Sequence, residues 1–248
     1  MAQNELIWGI HAVKARLQKT PHEIIEIYIL KNRIDQITQE VILQAEQQGI
    51  SVNALDRNKL DQLANNEQHQ GIVAKCRLSK RFTENDLNYL LDQITESPFL
   101  LILDEVQDPH NLGACLRTAN GAGVHIVIAP QDRSAGLTPV ARKVACGAAE
   151  ETPFIQVTNL ARTLRQLKER GIWLYGAADE AQNNIYQTDL KGPIALVLGS
   201  EGKGLRRLTR EHCDYLISIP MLGAVSSLNV SVATGVCLYE AVRQRSLK

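Results

Sequence analysis

Three segments concentrate the side chains that could do chemistry: EVQDPHNLGACLRTANGAG at 105–123, LVLGSEGKGL at 196–205 and IPMLGAVSSLNVSVATG at 219–235. The first offers Asp108, His110, Asn111 and Arg117. Asn111 is placed to cap a helix beginning near Gly113, with Arg117 slightly more than one turn into it. Capping and a solvated arginine are sufficient explanations of these two residues taken singly. The second segment spaces Gly199, Gly202 and Gly204 as G-x-x-G-x-G. That is not the G-x-G-x-x-G of a dinucleotide site, nor a Walker loop, because Lys203 is followed by Gly204 rather than Ser or Thr. Following a buried strand, it reads either as a ligand loop at the carboxyl edge of an α/β sheet or as a tight structural turn. In the third segment Ser226, Ser227, Asn229 and Ser231 surround the start of an otherwise apolar helix. Polar groups buried there cost roughly 1–3 kcal/mol each when unpaired, so they are caps or ligand contacts.

The elements that must hold these segments have a clear pattern. From Pro98 onward the runs FLLILD, HIVIAP, TPFIQV, IWLYGAA, IALVLG and YLISIP alternate with helical stretches. Runs apolar on both faces fit a largely parallel sheet covered by helices on each side. The last helix, roughly 228–244, is rich in Val, Ala, Ser and Gly and is expected to be buried in the core or in a subunit interface. Residues 1–80 read as a small α/β domain, with strands at 24–30, 50–55 and 71–76 and helices around 35–48 and 58–65. The more polar stretch 78–97 is the linker candidate, with one short helix capped by Thr83 or Asn85. The expected division is 1–80, a linker at 81–97, and 98–248.

Composition narrows the class. The 248 residues carry 27 basic and 27 acidic side chains, a balance typical of soluble globular domains. No apolar run reaches the roughly 18 residues of a membrane span, and no basic, then apolar leader opens the chain, so a cytosolic protein is expected. Five cysteines, Cys76, Cys115, Cys146, Cys213 and Cys237, include no C-x-x-C pair. Neither a disulfide framework nor a metal site is suggested, and they read as small buried hydrophobes. Local basic clusters occur at Arg142-Lys143, at Arg206, Arg207 and Arg210, and in the tail with Arg243, Arg245 and Lys248. With a net charge of zero they do not by themselves carry a nucleic-acid claim.

Taken together, in this order and each after a strand, the three segments resemble the three motifs of the SpoU, or TrmH-like, branch of the SPOUT RNA 2′-O-methyltransferases. The resemblance covers about residues 98–248. The earlier GIHAVKARL and HQGIVAKC resemble the small L30e-like RNA-binding domain that several of these enzymes carry. With both domains present and the ending IPMLGAVSSLNVSVATGVCLYEAVRQR, the chain is most similar to the subgroup that methylates a guanosine in the peptidyl-transferase region of bacterial 23S ribosomal RNA. A transfer-RNA ribose methyltransferase is the nearest alternative, and a non-catalytic ribosome-associated RNA-binding protein is the alternative from another class. The glycine spacing disfavours a nicotinamide-linked oxidoreductase.

The resemblance implies a carboxyl-terminal domain tied in a deep trefoil knot and a homodimer. It also implies S-adenosylmethionine as cofactor, held mainly by backbone groups of 198–202, 219–221 and 227–229. The implied cofactor residues are Leu198, Gly199, Gly202, Ile219, Met221 and Leu228; the implied catalytic set is Asn111, Arg117, Glu201, Ser227 and Asn229. Methyl transfer from a sulfonium needs no metal, but it needs an in-line nucleophile and help with a weakly acidic proton. A guanidinium with a pKa above about 12 is a poor base. Arg117, reaching across the dimer, is therefore expected to clamp an RNA phosphate and stabilise a developing alkoxide. Asn111 would orient that arginine or the ribose, Glu201 would hold Asn111 or Arg117, and Ser227 and Asn229 would complete a polar wall. His110 is not expected to be the base.

Overall fold

A computed structural model describes residues 4–33, 35–65, 68–77 and 82–246. The beginning of the expected linker, 78–81, and Lys248 of the basic tail lie outside the described residues. The chain divides into two units, Met1–Lys80 with Arg142–Glu150, and Arg81–Ala141 with Glu151–Lys248.

The first unit holds strands β1 (Asn4–Trp8), β2 (Ile24–Leu30), β3 (Ser51–Leu55) and β4 (Ile72–Arg77), with helices α1 (Ile10–Lys19), α2 (Gln36–Gln47) and α3 (Arg57–Leu63). The sheet order is β1-β4-β2-β3. β4 runs antiparallel to both neighbours, and β2 pairs parallel with β3. Alternation along β4 sorts its side chains by face. Ile72, Ala74 and Cys76 join Val13, Leu17, Val41 and Ala45 in one core cluster, while Val73 joins Trp8 and Leu60 in another. Helix α2 starts where it does because the Asp35 carboxylate accepts the Thr38 N–H at 2.9 Å, a side-chain cap. Strand β1 and helix α1 go beyond the elements expected. Arg16 of α1 is 1 % exposed and lies 3.0 Å from Glu5 and 2.5 Å from Glu23. A buried cation persists only when paired in this way.

The second unit contains β5 (Phe99–Asp104), β6 (Ile126–Pro130), β7 (Phe154–Val157), β8 (Trp173–Ala177), β9 (Asn183–Asn184), β10 (Ile194–Gly199) and β11 (Tyr215–Ser218). Their order is β7-β6-β5-β10-β8-β11-β9, and every pairing is parallel. The helices in chain order are α4 (Leu87–Asp92), α5 (Pro109–Gly121), α6 (Pro139–Ala145), α7 (Ala148–Glu151), α8 (Leu160–Glu169), α9 (Arg207–His212) and α10 (Val230–Ser246). The division between the units falls within α6 and within α7. Both faces of β5 and β10 are buried, which is why each reads as an unbroken apolar run. Helix α8 contributes Leu160, Leu164 and Leu167 to the same cluster as Leu100, Ile102, Ala195 and Val197. Helix α4 inserts Leu87 and Leu91 there as well. Its approach is fixed by Thr83, not Asn85: the Thr83 N–H and hydroxyl each lie 2.8 Å from the Asp86 carboxylate.

Two helix starts set the placement of the polar side chains singled out in the sequence. Helix α5 begins at Pro109, four residues before the expected start, because Asp108 caps it by accepting the His110 N–H at 2.9 Å and Pro109 occupies the first helical position, where a missing N–H costs nothing. Asn111 is therefore not the cap, and Arg117 lies more than two turns into the helix rather than slightly more than one. Helix α10 is capped by Asn229, whose Oδ1 accepts the Ser231 N–H at 2.9 Å. One face of α10 is buried through Thr234, Cys237, Leu238 and Ala241, while Val232 and Tyr239 are each 52 % exposed. The helix is buried on one side within the chain, not all round.

Candidate active site

In a parallel sheet the crevice lies beyond the carboxyl ends of the strands, where the order of connection switches direction. Here β10 lies between β5 and β8, so the turn after β10 emerges beside the segment that follows β5. The segment following β11 joins them from two strands away. Three stretches far apart in sequence are thereby brought to one edge.

The turn after β10 is tight. The Gly204 N–H donates to the Ser200 carbonyl at 2.9 Å, and Gly202 and Gly204 have φ of 74° and 64°, a left-handed conformation that disfavours side chains. Gly199 is required for another reason: a Cβ there would lie 2.1 Å from the Gly204 carbonyl carbon.

Beside this turn lies a cavity of about 290 Å³. Leu198, Gly199, Gly202, Ile219, Met221 and Leu228 all line it, as does Ser227. It is also lined by Ala177, Ala178, Asp179 and Glu180, at and just beyond the end of β8. Sequence reasoning missed these four. The available signal was an acidic pair directly after the run IWLYGAA, but only the sheet order shows that this strand neighbours β10.

Through Glu201, which lines the cavity, the polar side chains form one connected group. The Asn111 amide donates to Glu201 Oε1 at 3.5 Å, the Asn229 amide donates to Asn111 Oδ1 at 3.1 Å and also to Glu201 Oε1, and the Val230 N–H donates to the same Glu201 oxygen at 3.3 Å. Each segment contributes one member: Asn111 from α5, Glu201 from the glycine turn, Asn229 from the cap of α10. A second recess of about 250 Å³, lined by Gln107, Asp108, Asn111, Ser200, Glu201 and Lys203 among others, adjoins it and shares Ser200, Glu201, Lys203 and Val230 with the first.

Arg117 does not join this group. It is exposed on α5, and its side chain makes no hydrogen bond or ion pair with any described residue. Six positions separate it from Asn111, a rotation of about 240° at roughly 100° per residue, so it projects from a different side of the helix. The clustered cations are mostly engaged within the chain: Arg206 with Asp104, Arg207 with Glu211, Arg210 with Glu180 and Arg243 with Glu240. Among the described residues no group of three or more His, Cys, Asp or Glu is arranged to hold a metal ion, and no helix is long and apolar enough to cross a membrane.

Known proteins resemble this chain in sequence and in fold. Residues 98–239 match the SpoU rRNA Methylase family, and residues 6–82 match a family described as RNA 2′-O ribose methyltransferase substrate binding. The chain is 62 % identical to the 23S rRNA (guanosine-2′-O-)-methyltransferase RlmB of Pectobacterium atrosepticum, covering 98 % of this chain and 99 % of that protein. It is 56 % identical to the protein of the same description from Escherichia coli K12, covering 98 % and 100 %. Among solved structures, an RNA 2′-O ribose methyltransferase aligns with a TM-score of 0.83 at 25 % identity over 99 % of this chain and 90 % of that one. The SpoU methyltransferase AviRb of Streptomyces viridochromogenes, in complex with AdoMet, has the same fold, with a TM-score of 0.79 at 23 % identity over 98 % and 90 %.

Proposed function

Because the chain belongs to the SpoU rRNA methylase family, we propose that it transfers the methyl group of S-adenosylmethionine to the ribose 2′-oxygen of a guanosine in 23S ribosomal RNA. The observation that carries this reading is the meeting of Asn111 and Asn229 on Glu201, a residue that lines the cavity, in a chain so similar over its whole length to guanosine methyltransferases.

The cavity suits the cofactor. Its volume of about 290 Å³ lies at the lower edge of the range for small-molecule sites, about 300–1,000 Å³. Ile219, Met221 and Leu228 offer apolar surface to an adenine ring, the turn from Leu198 to Gly202 offers backbone groups, and Asp179 offers a carboxylate to ribose hydroxyls. When bound, the sulfonium supplies an already activated methyl group. The chain must then supply an aligned hydroxyl and an exit for its proton.

Glu201 serves this by organisation rather than as a base, since one of its oxygens already accepts from the Asn111 amide, the Asn229 amide and the Val230 N–H. With the amides so fixed, Asn111 and Asn229 orient the target ribose, and Ser227 extends the polar wall beside the methyl donor. Arg117 clamps the neighbouring phosphate and stabilises the developing alkoxide, with the proton leaving to phosphate or water. It does so in the site of a second copy. The support is its exposure and lack of a partner among the described residues, together with apolar surface left exposed at Leu222, Val225, Val232 and Tyr239, a pattern that marks interaction surfaces. Residues 1–80 recognise the RNA, in keeping with the substrate-binding match over 6–82. The segments after β10 and β11 form the trefoil knot, a reading that rests on the family to which the chain belongs. With ribosomal RNA as substrate the enzyme works in the cytoplasm.

The test is to incubate the protein with labelled S-adenosylmethionine and ribosomal RNA from cells lacking the corresponding enzyme, then map the product. A single 2′-O-methylguanosine in 23S RNA is expected. No incorporation, or label on a base or on transfer RNA alone, would overturn the assignment.

A further inference from the structure

Asp104 is the last residue of β5 and is fully buried, yet it carries a carboxylate. Its backbone lies in register with Gly199, the residue at which the glycine turn leaves β10. Its side chain receives the other end of the same turn. The Arg206 N–H donates to Asp104 Oδ2 at 3.0 Å, and the Arg206 guanidinium donates to Oδ1 through Nε at 2.7 Å and approaches it through Nη2 at 2.6 Å. One residue thus holds both ends of the loop that carries Glu201. It also opens the segment that leads to Asn111, by way of Glu105, a non-glycine residue at φ 63°. A conformation of that kind persists where the surroundings over-determine it.

We infer that Asp104 is a positioning residue for the methyl-transfer site: by anchoring the turn at Gly199 and at Arg206, its buried carboxylate sets the reach of Glu201 to Asn111 and Asn229. The inference rests on the methyltransferase reading. The burial of Asp104 beside a half-exposed Arg206 argues for such a role over a merely stabilising one, because a carboxylate taken out of water adds little net stability even when paired, while it fixes geometry through several directed hydrogen bonds. The bonds from Glu201 to Asn111 and to Val230, at 3.5 and 3.3 Å, are already long, so a small retreat of the turn breaks them.

The experiment is a double-mutant cycle on the full chain. Asp104→Asn keeps the size and one acceptor but removes the charge facing the guanidinium. Alone it should lower kcat by about 10- to 100-fold, with calorimetric cofactor affinity changed far less. In a Glu201→Ala background the same change should cost less than about threefold, because the group it positions is gone. In protein labelled with 15N at asparagine, the side-chain amide resonances of Asn111 and Asn229 should move in Asp104→Asn as they do in Glu201→Ala. Should Asp104→Asn fail to fold, Arg206→Lys takes its place; it keeps the backbone bond and the charge but loses the fork, and the same non-additivity is expected at smaller amplitude. Losses that multiply in the double variant, or amide resonances that stay in place, would each overturn the proposal. If the unaltered protein transfers no methyl group, the proposed function fails while the resonances still judge Asp104.

Discussion

Replacing Gly199 with alanine adds one methyl group where there is no room for it. The new Cβ would stand 2.1 Å from the Gly204 carbonyl carbon, 2.2 Å from its oxygen and 2.4 Å from the Leu205 nitrogen. All three are backbone atoms, so no side chain can swing aside. To reach an ordinary van der Waals separation of 3.4 Å the turn must retreat by roughly 1.3 Å from its 2.1 Å contact. Overpacking of this kind costs about 1–3 kcal/mol, which for a protein of this size lowers Tm by about 2–12 °C. The functional loss should be larger than the loss of stability, because the retreating turn carries Glu201 and lines the cavity. A misplacement of about 1 Å is enough to cost about 100-fold in rate. The Gly199→Ala protein should therefore remain folded by circular dichroism, bind S-adenosylmethionine at least about tenfold more weakly by calorimetry, and methylate RNA about 100-fold more slowly at saturating cofactor. Affinity and kcat both within twofold of the unaltered protein would refute the assignment of this turn to the site.

Mixing inactive Arg117→Ala subunits with inactive Gly199→Trp subunits should restore activity, since a mixed dimer would hold one complete site made of the open pocket of the first and the arginine of the second; no recovery in verified mixed dimers would reject sharing across the dimer. Burial pushes the thiol of Cys115 up to about 11 and those of Cys76, Cys213 and Cys237 up to about 12, so at pH 8 about one part in a thousand or less is thiolate. Iodoacetamide should accordingly label the folded protein at the exposed Cys146, and mass spectrometry finding an adduct on Cys237 of folded protein would contradict the packing of α10. Burial raises the pKa of Glu84, but the Thr158 N–H and hydroxyl and the Arg162 guanidinium outweigh it and hold the carboxyl below its usual value. Its stabilisation is then present above the unfolded value and lost as pH falls through the folded one, so Glu84→Gln should lower stability to urea at pH 7 by an amount that shrinks steadily as the pH is lowered below the ordinary carboxylate range; a deficit that stays constant down the acid limb would refute the linkage.

The sequence yielded most where burial leaves a one-dimensional trace. The runs FLLILD and IALVLG read as strands because both of their faces are covered, and β2 was legible over its whole length because IIEIYIL is a run of mostly β-branched and aromatic residues. The failures have equally specific causes. Strand β1, five residues at the edge of its sheet, is too short and too mixed for a period to show. The start of α5 was misplaced because Asn111 and Asp108 are both good caps in isolation; Pro109 decides between them, and the side chain of Asn111 is thereby released for Glu201. The third segment could be narrowed to caps or ligand contacts, and Asn229 is a cap through its oxygen while its amide reaches Glu201. Asp179 and Glu180 escaped notice because no local pattern reveals that β8 lies beside β10. The six expected cofactor residues line one cavity, but that they belonged together came from a family resemblance, not from spacing.

The group formed by Asn111, Glu201 and Asn229 also bears on how the protein is made. Asn111 meets a partner 90 positions later and another 118 positions later, and the last of them caps the final helix. No shorter length of chain emerging during synthesis contains the whole arrangement. The strands can begin to pair as they appear, but this group is complete only after Asn229 has been made and α10 has docked. Contacts this distant in sequence are formed slowly, because the entropy of closing long loops must be met before they stabilise anything. Until Asn229 and α10 have been made, the chain is therefore a sheet without this group.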